Sequence, residues 1–268
     1  MKKIFLALLA VATFFTVSAQ YNAPHIAANG GYHKHASSGA KNTMSALKAA
    51  QKLKLYGSKC DVNLTKDGEV LVVNNGWHPN RKASPKADVQ RSTKEKMLSI
   101  PHANGEPIST LEEFLKRASK KPATKLIIEI KNQATPQRET ELVDNVLYLV
   151  DKAGMQNCVE YIAAHPWTCF ELAKKAPTGT QISYSGNNYD PEYIKGMGLT
   201  GINYNLRTLK KKKGWIKQSH KLGLTVNAWT INKEEDIRWC VMNGVDVIMT
   251  DEPVLAKNII KEMCGKKK

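Results

Sequence analysis

Long apolar runs are scarce in this chain of 268 residues. Ile4 to Val17 is the main one, and it falls short of the roughly 20 apolar residues that a helix needs to cross a bilayer. Met1-Lys2-Lys3 precedes it and Val17-Ser18-Ala19 follows, which is the three-part pattern of a secretory signal peptide cleaved after about Ala19. No cysteine closely follows that point, so no lipid anchor is indicated, and nothing later offers a transmembrane segment. Residues 1–19 are therefore expected to leave, giving an exported protein that is periplasmic or extracellular. Cysteine is sparse as well. Cys60, Cys158, Cys169, Cys240 and Cys264 fall at no metal-ligand spacing, and their odd number leaves at least one unpaired in an oxidising compartment. They are read as buried, small apolar residues. Acidic residues are outnumbered, 24 against 40 Lys and Arg, for a formal charge of +16 that falls by two when Lys2 and Lys3 leave. Such an excess attracts anions in general, including an anionic membrane surface and acidic glycans. No recognition helix, aromatic stacking platform or zinc finger accompanies the charge, so nucleic acid is excluded as the expected partner. Much of the excess lies in Lys210 to Lys213 and Lys266 to Lys268, runs that ordinarily mark solvated surface.

What the chain does have begins with Gly57 to Asn75. Apolar and β-branched residues flank Lys66-Asp67-Gly68, a strand-turn-strand pattern. Side chains alternate faces along a strand, so Lys59, Asp61 and Asn63 share one face while Cys60, Val62 and Leu64 share the other. Strand-like runs recur at Ile26 to Asn29, Lys125 to Lys131, Val159 to Ala164, Thr180 to Tyr184, Gly201 to Asn205, Thr225 to Thr230 and Val245 to Thr250. Helical patterns lie between most of them, at Asn42 to Leu55, Glu139 to Ala153, Trp167 to Lys175, Pro191 to Met197, Trp215 to Lys221 and Lys233 to Asn243. Ser109-Thr110-Leu111-Glu112-Glu113 reads as a further helix start with a capping box. Strands alternating with helices imply a parallel sheet, and eight such units imply closure as a (β/α)8 TIM barrel. A doubly wound open sheet is the alternative, but no Gly-rich dinucleotide loop supports it. The expected organisation is one domain over residues 23–264. An excursion follows its second strand, because Gly76 to His102 is polar, Pro-bearing and without period.

In such a barrel the C-terminal strand ends carry the chemistry. Here they supply Asn29, Lys59, Asp61, Asn63, Glu129, Lys131, Ala164, His165, Tyr184, Tyr204, Trp229, Thr250 and Asp251. Taken with the motifs around them, these residues resemble the glycerophosphodiester phosphodiesterase family, barrels related to phosphatidylinositol-specific phospholipase C. The likeness runs from about Ile26 to Pro253. Ala28-Asn29-Gly30-Gly31 stands where the family has Ala-His-Arg-Gly, and Lys41-Asn42-Thr43 where it has Glu-Asn-Thr. Lys59-Cys60-Asp61-Val62 replaces Glu-Leu-Asp-Val, Thr65-Lys66-Asp67-Gly68 is kept, and Asn74-Asn75 replaces His-Asp. Ile128-Glu129-Ile130-Lys131, Ala228-Trp229-Thr230-Ile231-Asn232 and Thr250-Asp251-Glu252-Pro253 follow the family closely.

The resemblance implies phosphodiester hydrolysis in phospholipid-headgroup metabolism, by two histidines and a divalent cation (Ca²⁺ or Mg²⁺) held by three carboxylates. Both histidine positions are amides here, Asn29 and Asn74, and an amide can hydrogen-bond a phosphate but cannot relay a proton. Of the implied metal ligands Asp61 and Glu129 remain, and the third position is Lys59. A hard dication wants several oxygen ligands, and an ammonium about 4 Å away would oppose it by roughly 8 kcal/mol at an effective dielectric near 20. Lys59 is therefore expected in the cation's place, with no cofactor. Asn29, Lys59, Asn74, Lys131 and Trp229 are expected to contact a small phosphodiester or other anion, with Tyr184, Asn203 and Tyr204 as further headgroup contacts. Substitute proton carriers are sought in His33, His35 and His78 on loops and in His165 at a strand end. Three functional readings follow. The first is a phosphodiester-binding member without the standard hydrolysis, the second a hydrolase with altered, metal-independent machinery, and the third an anion- or glycan-binding scaffold.

Overall fold

A computed structural model describes residues 21–34, 39–74 and 88–265. The expectations for the signal segment, His35, Asn75, His78, the first part of the excursion (76–87) and Lys266 to Lys268 lie outside those residues. Nine strands are present among them: β1 (His25–Ala28), β2 (Gly57–Leu64), β3 (Val70–Val72), β4 (Lys125–Ile130), β5 (Val159–Ala163), β6 (Ile182–Tyr184), β7 (Gly201–Asn205), β8 (Thr225–Trp229) and β9 (Val247–Thr250). All but β3 pair in parallel, and β1 pairs with both β9 and β2, which closes the sheet into an eight-stranded barrel. β3 is the return strand of an antiparallel hairpin with β2, in register Val62↔Val72. The turn between them follows from the sequence. Thr65 donates its hydroxyl to Asp67 at 2.6 Å, and the Gly68 N–H reaches the Thr65 carbonyl at 3.1 Å.

Strand alternation sorts the chain into an inside and an outside. Cys60, Val62, Leu64, Leu126, Ile128, Ile130, Tyr161, Tyr184, Ile202, Tyr204, Val226, Ala228 and Ile248 point outward into one continuous cluster beneath the helices. The barrel interior holds a small apolar layer of Ala27, Ile127, Ile162, Val247 and Met249. Below it, Glu160 joins Lys125 at 2.7 Å and accepts from the Tyr56 hydroxyl, and His25 stacks on Tyr56 at 4.2 Å. A paired polar layer thus fills one end, and the other end is left for the site.

The helices are α1 (Met44–Lys52), α2 (Lys94–Leu98), α3 (Leu111–Ala118), α4 (Pro136–Lys152), α5 (Pro166–Lys175), α6 (Pro191–Gly196), α7 (Leu206–Lys211), α8 (Trp215–Lys221), α9 (Glu234–Met242) and α10 (Pro253–Cys264). Capping sets their starts. Thr43 accepts from the Ala46 N–H, Thr110 and Glu113 complete the capping box, and Thr135 with Pro136 begins α4. Two features depart from the sequence reading. The stretch between β7 and β8 holds two helices where one was expected, because Gly214 between them takes a left-handed φ of +98°, which breaks the helical path. The later part of the excursion is packed: Val89 and Met97 are buried with Leu71, Val73 and Ile108 in a separate apolar cluster. All five cysteines are free, and Cys60, Cys169 and Cys240 are buried. No helix among the described residues is long and apolar enough to cross a membrane.

Candidate functional site

The site follows from the register of β2 against β4, which sets Asp61 beside Glu129 on neighbouring strands. Residues two apart on a strand share a face, so Lys59 reaches the carboxylates from the barrel side and Lys131 from the mouth side. Lys59 Nζ lies 2.7 Å from Asp61 Oδ1 and also donates to Glu129 Oε2. Lys131 Nζ lies 2.6 Å from Glu129 Oε1 and 3.5 Å from Asp61 Oδ1. Asn42 completes the group by donating to Asp61 Oδ2 at 2.9 Å and accepting the Asp61 N–H at 3.0 Å. Burial works against the charge on both Lys59 and Asp61, yet their pairing prevails. Asp61 and Glu129 hold the Lys59 ammonium above its ordinary range, and Lys59 and Lys131 hold the Asp61 carboxyl well below the carboxylate range.

A second hub is Asp251, just past β9. It accepts from Lys41 Nζ at 2.7 Å, from Asn29 Nδ2 at 3.3 Å and from Asn232 Nδ2 at 3.1 Å, and His33 Nε2 lies 3.2 Å away. Burial would raise this carboxyl, but His33 and Lys41 bring it well below the usual range. Gly30 explains how Lys41 gets there. A Cβ at Gly30 would lie 2.7 Å from Lys41 Cβ and 2.9 Å from its Cγ, so the lysine stem runs through space that any side chain at residue 30 would claim. Glycine at 30 and lysine at 41 are thus coupled by packing: the one leaves the space that the other fills.

These groups surround a cavity of about 230 Å³ lined by Asn29, Lys41, Lys59, Asp61, Asn74, Glu129, Lys131, Ser185, Asn203, Trp229, Thr230 and Met249. Asn29, Lys59, Asn74, Lys131 and Trp229, expected as ligand contacts, Asp61 and Glu129, the two remaining carboxylates, and Asn203 are all in the lining. Trp229 is a wall held by its indole N–H, which donates to the Asn203 carbonyl at 2.8 Å. Asn203 is 3 % exposed, and its side-chain oxygen has no hydrogen-bond partner among the described residues.

Three sequence expectations are corrected. His165 is outside the lining; its Nδ1 sits 2.7 Å from the buried Glu139 Oε2, which also accepts from Thr168 at 2.8 Å. It precedes α5 without capping it through its side chain. Tyr184 and Tyr204 face away from the mouth, since they share the outward parity of Ile182 and Ile202. Their hydroxyls donate to Asn188 Oδ1 at 2.5 Å and the Tyr189 carbonyl at 2.6 Å, and the inward neighbours Ser185 and Asn203 take their place. The sequence reading missed Asn42 and Asn232 as positioning residues. Thr43 fills the N-cap of α1, which leaves the Asn42 amide for Asp61.

The residues do not fit a divalent cation. Both Glu129 oxygens and Asp61 Oδ1 accept from ammonium groups, and Asp61 Oδ2 accepts from Asn42. Among the described residues no group of three or more His, Cys, Asp or Glu could hold a metal.

Fold and mouth together define a (β/α)8 barrel whose charged and amide side chains converge at the C-terminal strand ends. The chain belongs to the glycerophosphoryl diester phosphodiesterase family, whose model matches residues 28–255. A glycerophosphodiester phosphodiesterase of Bacillus altitudinis is 25 % identical over 232 residues, covering 83 % of this chain and 94 % of that protein. The crystal structure of a glycerophosphodiester phosphodiesterase from Parabacteroides distasonis superposes with a TM-score of 0.84 at 29 % identity, covering 90 % of this chain and 98 % of the other. An Oleispira antarctica phosphodiesterase, solved with the product sn-glycerol-3-phosphate, shares the fold with a TM-score of 0.76 at 16 % identity, covering 89 % of this chain and 97 % of its own.

Proposed function

We propose that this is an exported member of the family that binds a small phosphodiester at the barrel mouth without the metal- and histidine-dependent hydrolysis. The observation that carries the reading is the Lys59 ammonium seated between Asp61 and Glu129, within 2.7 Å of Asp61. It supplies internally the positive charge that a bound cation would bring. Lys131, nearer the opening, is the cation best placed to meet a phosphate oxygen, and it does so as a point charge. Asn29 and Asn74 contribute amide donors at the rim and hold no exchangeable proton for acid/base work.

The alcohol side of the ligand is suggested by Asn203. A buried acceptor left without a donor costs about 1–3 kcal/mol, and a ligand hydroxyl would offset that loss. Trp229 offers an apolar wall to the carbon skeleton beside it. A phosphodiester of a polyhydroxy alcohol meets these requirements at once.

Incubation with glycerophosphocholine, with and without EDTA, tests the loss of hydrolysis. The expected result is no release of sn-glycerol 3-phosphate above a denatured control in either arm, alongside a thermal shift with the intact diester. Turnover abolished by EDTA would contradict the proposal, and turnover indifferent to EDTA would favour a metal-independent hydrolase. A thermal shift with acidic glycans and none with diesters would favour the scaffold reading.

A further inference from the structure

The flank of the barrel formed by α7 and α8 carries charge that the mouth does not use. From Leu206 to Leu222 the chain holds Arg207, Lys210 to Lys213, Lys217 and Lys221 and no acidic residue. Elsewhere many lysines meet carboxylates, as Lys34, Lys94, Lys125, Lys152 and Lys175 do. Here, among the described residues, Lys210 is the one lysine that meets a carboxylate, Asp236 at 2.7 Å. Among the described residues no carboxylate lies within 4.0 Å of Lys211, Lys212, Lys213 or Lys217.

Lys210, Lys212, Lys213 and Lys217 line a groove of about 330 Å³ between α7–α8 and α9, together with Leu209, Ile216 and Trp239; Lys211 lies beside it. Lys210 lies over the Trp239 ring at 5.6 Å, and Lys212 over Trp215 at 5.1 Å. Lysines with long apolar stems beside half-buried indoles present charge outermost and apolar surface beneath it. That order matches a bilayer interface, where phosphates meet the ammoniums and indoles settle at headgroup depth. The flank begins at the mouth end of β7. Asn205 ends β7 and caps α7 by accepting from the Thr208 N–H at 2.8 Å, two residues beyond Asn203 of the cavity lining.

We propose that the α7–α8 flank is a docking surface for an anionic phospholipid bilayer, with the groove seating a headgroup phosphate among Lys212, Lys213 and Lys217. The assignment is independent of what the mouth binds. It concerns a local array of charges rather than the net charge of the protein, and the two are separable.

Co-sedimentation with vesicles of phosphatidylcholine alone, and of equal parts phosphatidylcholine and phosphatidylglycerol, tests it at low and high salt. The variant Lys211→Glu/Lys212→Glu/Lys213→Glu is compared with Lys116→Glu/Lys120→Glu/Lys121→Glu, an equal charge change at the exposed end of α3. Wild type and the α3 variant are expected to sediment with the anionic vesicles at low salt, and the flank variant to lose on the order of tenfold or more in partitioning. If the flank glutamates impair folding, judged by circular dichroism, the corresponding Lys→Gln triple replaces them. Equal losses in both variants, no loss in the flank variant, or no preference of wild type for anionic vesicles would overturn the proposal. So would binding to soluble dextran sulfate without binding to vesicles.

Discussion

At the scale of single residues, the site is a set of matched pairs. Lys59 is compatible with the barrel interior because two carboxylates meet it there, and they in turn depend on it. Removing one partner of a buried ion pair strands the other charge, at a cost of about 3–5 kcal/mol. Lys59→Met is therefore expected to lower the unfolding free energy from urea denaturation by that amount, through a lower midpoint at unchanged m-value; a loss below about 1 kcal/mol would show that Lys131 alone satisfies both carboxylates. Gly30 and Lys41 form the second matched pair. Gly30→Ala places a Cβ at φ +77° and 2.7 Å from the Lys41 stem. Its destabilisation is expected to shrink by about 0.5–2 kcal/mol when Lys41→Gly clears the stem, measured as a double-mutant cycle. Strict additivity would mean that the two residues do not compete for space. Much of this was legible from spacing: strand alternation already put Lys59 and Asp61 on one face. The errors came from the same rule left unapplied, since Tyr184 and Tyr204 sit one residue off the inward positions Ser185 and Asn203. His165 was beyond reach because its partner, Glu139, lies 26 residues away on α4.

At the scale of elements, the β2–β3 hairpin and the segment after it form a small layer on the barrel's side. The hairpin was readable from the Asp67-Gly68 turn. The packing of Val89 and Met97 against Leu71, Val73 and Ile108 was not, because isolated apolar residues in a polar stretch have no period to betray them. α10 was missed in the sequence, although Ala256, Ile259 and Ile260 form a stripe that is buried in the structure. The excursion also contains His102, 2 % exposed, whose imidazole is pushed down to about 4 by burial, with Glu106 pulling the other way. An unfolded histidine titrates near 6.5, so between those values the unfolded chain binds the extra proton. Stability supplied by neutral His102 is full above about pH 6.5 and is lost as the pH falls toward 4, by up to about 3 kcal/mol. His102→Gln is expected to flatten the denaturation midpoint over that window; an unchanged slope would place the acid sensitivity elsewhere. Asp61 and Asp251, both depressed, contribute a separate loss that begins only as the pH falls below about 4.

At the scale of the whole molecule, the barrel is closed and the charges at its mouth are paired with one another. Eight strand runs in the sequence became eight parallel strands closed between β1, β2 and β9, so the fold was legible from periodicity alone. Closure needs the outward apolar faces and the capped helices, and substitutions among inward polar residues leave both untouched. A family barrel can therefore keep its architecture while Lys59, Lys131 and Lys41 balance Asp61, Glu129 and Asp251 in its cavity lining and rim. The most direct test is calorimetric titration of the purified protein with Mg²⁺ and with Ca²⁺, beside Lys59→Glu. The account predicts no saturable heat for the wild type, an unchanged melting temperature in EDTA, and measurable affinity once glutamate replaces Lys59. Micromolar binding by the wild type that disappears in Asp61→Asn would contradict it.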